Sequence, residues 1–416
     1  MNVQKRKMFT RCAMMGLSLI IGATALYVPT VSAHGEKSQP PFMRMRTVHW
    51  YDVKWSKRQI KVGEEFVLSG KMHLFTGWPE SAALPDTAFL NVGVPGPAVV
   101  RTNSDVGGQF TSWRSMQLQL GRDYPWSVTL MGRRPGDWHI HPMLSVEGAG
   151  PIVGPGNWVK VVGSLADFKY PVTTLRGRTV DLETYAEGRS VGWHLLWAVL
   201  AVAWIGYWMR NLAFLPRFIA TNEGKGNDLL TTGDRNVGIA FLVGTIVITF
   251  FGYTSTNAEY PITIPLQGGV IRDIKALPET TGAVEVKVDK AKYRVPGRAI
   301  NLQLTVSNRT GNPVSLGELE TGGVRFMNAS VSKDTTGYPH DMLAENGLTL
   351  DDNAPIMPGQ TKTINVTGTD AAWETQRLAD LIYDPDSRFG ALLFFIDSGG
   401  FKYPVEIGGP LIPQFM

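Results

Sequence analysis

Two uncharged apolar runs near the middle of the chain constrain its fold more than any other feature. Val191–Met209 and Val237–Thr254 contain no Asp, Glu, Lys or Arg. Wound as a helix, the first is about 28 Å long, close to the thickness of a bilayer's hydrocarbon core. Trp193, Trp204, Tyr207 and Trp208 lie toward its ends, as an aromatic belt requires. Arg210, Arg217, Lys225 and Arg235 between the runs mark a cytoplasmic loop. A chain that crosses twice returns to its starting side, so the segments before and after the runs share one non-cytoplasmic side.

Which side that is follows from the first residues. Lys5, Arg6, Lys7 and Arg11 precede an apolar stretch, Met14 to Val28, and small residues stand at Val31 and Ala33. This is the pattern of a secretory signal cleaved after Ala33. His34 then begins the mature chain, with a free α-amine beside its imidazole. The single cysteine, Cys12, leaves with the signal. Disulfides, Cys-ligated zinc, iron–sulfur clusters, cysteine nucleophiles and thiolate-bound blue copper are thereby excluded. Only 18% of residues are charged, which suits partial immersion in lipid, and the net charge of +4 is scattered rather than gathered into a nucleic-acid surface.

The chain thus divides into a signal (1–33), a first domain (34–185), a transmembrane hairpin (186–258) and a second domain (259–416). In the first domain Gln59–Ser69, Ala88–Val94, Ser115–Leu120, Trp126–Met131, Trp138–Val146 and Trp158–Val162 read as short strands between turns. That spacing predicts an antiparallel sandwich or barrel. In the second, Val284–Val288, Ala299–Ser307, Gly323–Phe326, Lys362–Val366 and Ala391–Phe395 read as strands, and Ala371–Leu381 as a short helix. Trp50, Tyr51 and Trp55 are read as packing residues.

Five of the seven histidines fall in the first domain. His139 and His141 are two apart in a predicted strand, so both rings point to one face about 7 Å apart. With the imidazole and amine of His34 they offer four nitrogens, a set that suits tetragonal Cu(II) better than tetrahedral zinc. Glu36 is either an orienting carboxylate or a solvated one. His49 and His73 form a second two-ligand site or are ordinary polar histidines; spacing alone favours the latter. His194 reads as an interfacial side chain and His340 as a satisfied structural one. No phosphate loop, nucleophile elbow or His-Glu-x-x-His motif is present.

The segments HGEKSQPPFMRMRTVHWYDVKWSK (34–57), FLNVGVPGPAVVR (89–101), RRPGDWHIHPMLSVEGAGPIVGPG (133–156), YPITIPLQGG (260–269) and GGPLIPQFM (408–416) closely resemble the B subunits of the copper membrane monooxygenases. The likeness runs through the whole mature chain. It is nearer the methane-oxidising branch, particulate methane monooxygenase, than the ammonia-oxidising one. It implies a mainly β protein with two transmembrane helices, in which two cupredoxin-like β-barrel domains are joined by the helical hairpin. It maps a copper site onto His34, His139 and His141 and a second, bis-histidine position onto His49 and His73. It further implies a trimer of heterotrimers with A and C subunits in a bacterial inner (intracytoplasmic) membrane, both soluble domains periplasmic. Such a complex oxidises methane to methanol with dioxygen and a quinol-type reductant. Two alternatives stay open: the ammonia-oxidising counterpart, and a non-catalytic copper carrier or scaffold with the chemistry in the C subunit.

Overall fold

The structure is a computed structural model that describes residues 35–112, 114–174, 177–209, 218–219, 221–225, 230–260, 269–280, 282–295, 298–335 and 338–415. The signal segment, His34, Arg210 and Arg217 lie outside the described residues, as does the side chain of Glu36.

Ten strands build the first β-unit: β1 (Val48–Trp55), β2 (Gln59–Lys61), β3 (Glu65–Leu74), β4 (Ala88–Gly93), β5 (Val99–Val106), β6 (Gln109–Phe110), β7 (Asp123–Gly132), β8 (Gly136–Val146), β9 (Gly150–Val153) and β10 (Asn157–Val162). They form one sheet in the order β1-β3-β7-β5-β6 and a second in the order β2-β10-β8-β4, with β9 also on β8. A short hairpin, β11 (Pro171–Thr173) and β12 (Thr179–Asp181), leads to the helices. Alternation from Asp123 to Leu130 places every second residue of that stretch of β7 in the core, as a sheet with one covered face demands. Phe66, Leu68, Met72, Val128, Leu130, Ile140 and Leu144 fill the space between the sheets.

The second unit repeats the plan with β13 (Val284–Val295), β14 (Ala299–Asn308), β15 (Val314–Thr321), β16 (Val324–Met327), β17 (Leu343–Ala344), β18 (Leu348–Leu350), β19 (Thr361–Thr369), β20 (Arg388–Asp397), β21 (Lys402–Pro410) and β22 (Ile412–Phe415). Its sheets run β18-β19-β14-β13-β22 and β17-β16-β15-β20-β21. A mainly β protein with a pair of membrane-length helices is therefore the observed class.

Several sequence expectations are corrected. Gln59–Ser69 is not one strand: Gly63, at φ 79°, turns the chain between β2 and β3. Ser115–Leu120 is not a strand but an irregular segment held by single bridges from Met116 to Ala88 and Ile271. Ala371–Leu381 is broken into one turn of α-helix, Ala372–Thr375, and a 3-10 stretch, Leu378–Tyr383, because Arg377 adopts φ 58° between them. His340 is exposed at the start of a 3-10 turn rather than internally satisfied.

Four helices matter to the layout: α1 (Pro41–Arg46), α2 (Glu187–Met209), α3 (Thr232–Glu259) and the short α4 (Ala372–Thr375). Helices α2 and α3 are long and apolar enough to cross a membrane, and their apolar windows bury nothing within the chain. They are tied at both ends. Arg189 donates to Ser255 Oγ at 2.8 Å and Tyr207 OH to Asp234 Oδ1 at 2.8 Å. Asp234 and Thr231 complete a reciprocal capping box at the start of α3. His194 Nδ1–H donates to the Ser190 carbonyl one turn back in α2.

Each unit lends a segment to its neighbour's core. Met45 and Phe42 of α1 pack among the apolar residues of the second unit. After the helices, Ile271 packs into the first core and bridges to Met116.

Candidate functional site

The His139–His141 pair lies where β8 changes partners. Trp158 of β10 stands opposite His139, and Gly93 of β4 opposite His141. Both histidines are buried, and their rings meet edge to face with centroids 4.4 Å apart. The exposed indole of Trp158 packs on His139 with a centroid separation of 5.0 Å. His141 Nδ1–H donates to the Gly154 carbonyl at 3.0 Å, which fixes the tautomer and puts the ring's lone pair on Nε2. Gly156 makes room for that ring: a Cβ there would lie 2.3 Å from His141 Nδ1 and Cε1. Two adjacent imidazoles, one held in a metal-ready tautomer, fit a nitrogen-ligated copper. Among the described residues no group of three or more His, Cys, Asp or Glu is placed to hold a metal.

The other two histidines are directly paired across β1 and β3, and their rings are 6.5 Å apart. They face the second unit. His49, fully buried, lies with Nδ1 2.5 Å from Glu320 Oε2. His73 lies between two carboxylates, Nδ1 3.2 Å from Asp123 and Nε2 2.8 Å from Glu406. Burial pushes the His73 imidazole down, but the hydrogen bonds to Asp123 and Glu406 outweigh it and raise its pKa to about 9. Burial likewise pushes Glu406 up, and the bonds from His73 and Thr76 bring it below the usual range. A metal at this pair would have to displace Glu406 or Asp123 from His73.

The same seam carries Arg44 on the Gly322 and Gln376 carbonyls, Arg46 on Asp386, and a bidentate Arg325–Glu318 pair with two bonds of 2.7 Å. Beside it a cleft of about 600 Å³ lies between the units, lined by Tyr51, Lys71, Arg325, Tyr338, Phe394 and Lys402 among others. Sequence reading missed these carboxylates. The available signal was Glu318 and Glu320, two apart in β15 and therefore on one face, amid otherwise buried residues.

Residues 35–415 match the family of monooxygenase B-subunit proteins. The chain is 52% identical over 402 residues, 97% of each sequence, to the particulate methane monooxygenase alpha subunit of Methylococcus capsulatus (strain Bath). Among solved structures, the cupredoxin domain of amoB from Nitrosocaldus yellowstonii aligns with 29% of this chain and 91% of its own, at 14% identity and a TM-score of 0.23. The match along nearly the whole chain is decisive: the protein belongs to the monooxygenase B-subunit family.

Proposed function

We propose that this chain is the copper-holding B subunit of a particulate methane monooxygenase. The single observation that carries the reading is the buried His139–His141 pair with His141 locked as its Nδ1–H tautomer. The 52% identical relative, named as a methane monooxygenase, supports the substrate. Under this reading His34 contributes its imidazole and amine, and His139 and His141 one ring nitrogen each. When bound, copper supplies the redox chemistry that lets dioxygen oxidise a C–H bond. The overall reaction takes two electrons and two protons from a quinol-type reductant, puts one oxygen atom into methanol and releases the other as water. The Gly154 carbonyl holds the His141 ring in place, and Trp158 covers the His139 ring from solvent.

The two helices would anchor both β-units on the periplasmic face of an inner membrane, with A and C subunits against their bare apolar flanks. The bis-histidine position at His49 and His73 belongs to the same proposal: among the described residues the buried His49 Nε2 has no hydrogen-bond partner, and a metal there would take the place of a carboxylate on His73.

The test replaces His139 and His141 together by Ala and measures copper content and methane turnover in the assembled complex. The expected result is loss of this copper and of turnover. Unchanged copper stoichiometry would overturn the reading. Copper loss with full turnover would make the metal structural and place the oxidation in a partner subunit.

A further inference from the structure

We infer that Gln39 is a positioning residue of this copper centre, its side-chain amide fixing the amino-terminal segment along β9 beside the histidine pair. The inference rests on the copper reading above.

Both ends of the amide are used. Its nitrogen donates to the Pro151 carbonyl, and its oxygen accepts from the Val153 N–H at 2.9 Å. Residues two apart in a strand direct their backbone groups to the same edge, so Gln39 occupies the edge of β9 as a neighbouring strand would. The opposite edge of β9 is paired with β8 through Met143↔Val153 and Ser145↔Pro151. One residue beyond Val153 is Gly154, which receives the His141 Nδ1–H.

Upstream, Ser38 Oγ–H closes onto the Gly35 carbonyl at 2.7 Å, and Gly35 lies against Val153, where a Cβ would be 3.7 Å from its Cγ1. Downstream, α1 is anchored to the second unit through Arg44 and Arg46. The stretch from Gly35 to Arg46 is therefore held at both ends.

Chain termini are ordinarily the least ordered part of a domain. A ligand carried there loses conformational entropy when it binds metal, unless its segment is ordered beforehand. Gln39 supplies that order without touching the metal. Hydrogen-bonding partners of metal ligands are worth about 10–100-fold in affinity, and the same range is expected for Gln39, which acts one step further out on the backbone beside them.

The experiment uses the purified, assembled membrane complex carrying Gln39→Met, which keeps length and loses both hydrogen bonds. A Gln39→Glu variant keeps the acceptor for Val153 and sets an oxygen against the Pro151 carbonyl. Copper affinity is read by competition with a chelator of known strength, and nitrogen couplings by electron paramagnetic resonance of Cu(II). The expected result is affinity reduced about 10–100-fold in both variants, with an altered set of nitrogen couplings. Should Gln39→Met fail to assemble, Gln39→Glu decides alone. Parental affinity with unchanged couplings in an assembled variant overturns the inference. The His139→Ala/His141→Ala complex separates the two claims. If it loses copper while the Gln39 variants behave as parent, only the positioning role fails; if it keeps its copper, the copper reading itself fails.

Discussion

Asp52 shows how a single residue can be placed by two domains at once. It stands at φ 51° where the register of β1 slips between Tyr51 and Lys54, a backbone region that Asp and Asn tolerate better than most residues. Its carboxylate holds Lys71 of the first unit at 3.0 Å and Lys402 of the second at 3.4 Å. Burial pushes its pKa up, but the two ammonium groups more than reverse this and leave it below the usual carboxylate range. A depressed folded pKa means the stabilisation is present above the ordinary Asp value of about 3.9 and is lost as pH falls through the folded value. Asp52→Asn keeps the size and the backbone tolerance and removes only the charge. It should lower stability by about 1 kcal/mol at neutral pH, because solvent screens the partly exposed ammonium groups. Denaturant melts of the detergent-solubilised chain across pH should show that deficit shrinking under acid. A deficit independent of pH would assign the effect to altered hydrogen bonding rather than to the lost charge. The histidine pair of β8 was legible in the sequence because its partners are two residues apart. Asp52, Glu320 and Glu406 were not, because their partners lie on strands remote in sequence.

Among the elements, β7 and β14, with one covered face and alternating burial, are strands that sequence reading located. Among the strands it overlooked, which include β5, β15 and β21, β1 is buried on nearly every residue because its own core covers one face and the second unit the other. Alternation vanishes in a doubly covered strand, so the periodic signal was absent. The helix boundaries exceeded the uncharged runs for a related reason. Asp234 extends α3 as a capping residue, and Glu187 and Arg189 extend α2 beyond the apolar stretch. Close to the candidate site, the loop after β9 is as constrained as the strand it serves. Gly156 is not in the left-handed region, so Gly156→Ala is a steric test rather than a conformational one; its methyl group would meet the His141 ring at 2.3 Å. The expected outcome is a displaced His141, a copper content well below parent, and a loss of about 1–3 kcal/mol as in other overpacked interiors. Metal analysis paired with thermal melts of the complex checks both. Parental copper content would mean that the ring can move without loss of the metal.

At the scale of the whole molecule, charged side chains cross the contact between the units at several points. Arg44 is buried, with its guanidinium on two carbonyls of the second unit. His49–Glu320 and His73–Glu406 cross the same boundary. Apolar contact crosses it as well: Tyr51 clusters with Leu392 and Phe394, and the buried Phe75 ring lies against Gly390 and Gly408. Arg44→Ala would strand two buried carbonyls and lower stability by about 3 kcal/mol. Calorimetry should then resolve two unfolding transitions where the parent shows one; a single undivided transition would show that the charged boundary contributes little to cooperativity. The loan of α1 to one core and of Ile271 to the other has a practical side. A recombinant fragment ending ahead of the helices would present Phe42 and Met45 as bare grease and leave Met116 without its bridge to Ile271. Such a piece invites precipitation in the test tube, whereas two pieces severed in the loop between the helices and produced in one cell retain everything each needs from the other.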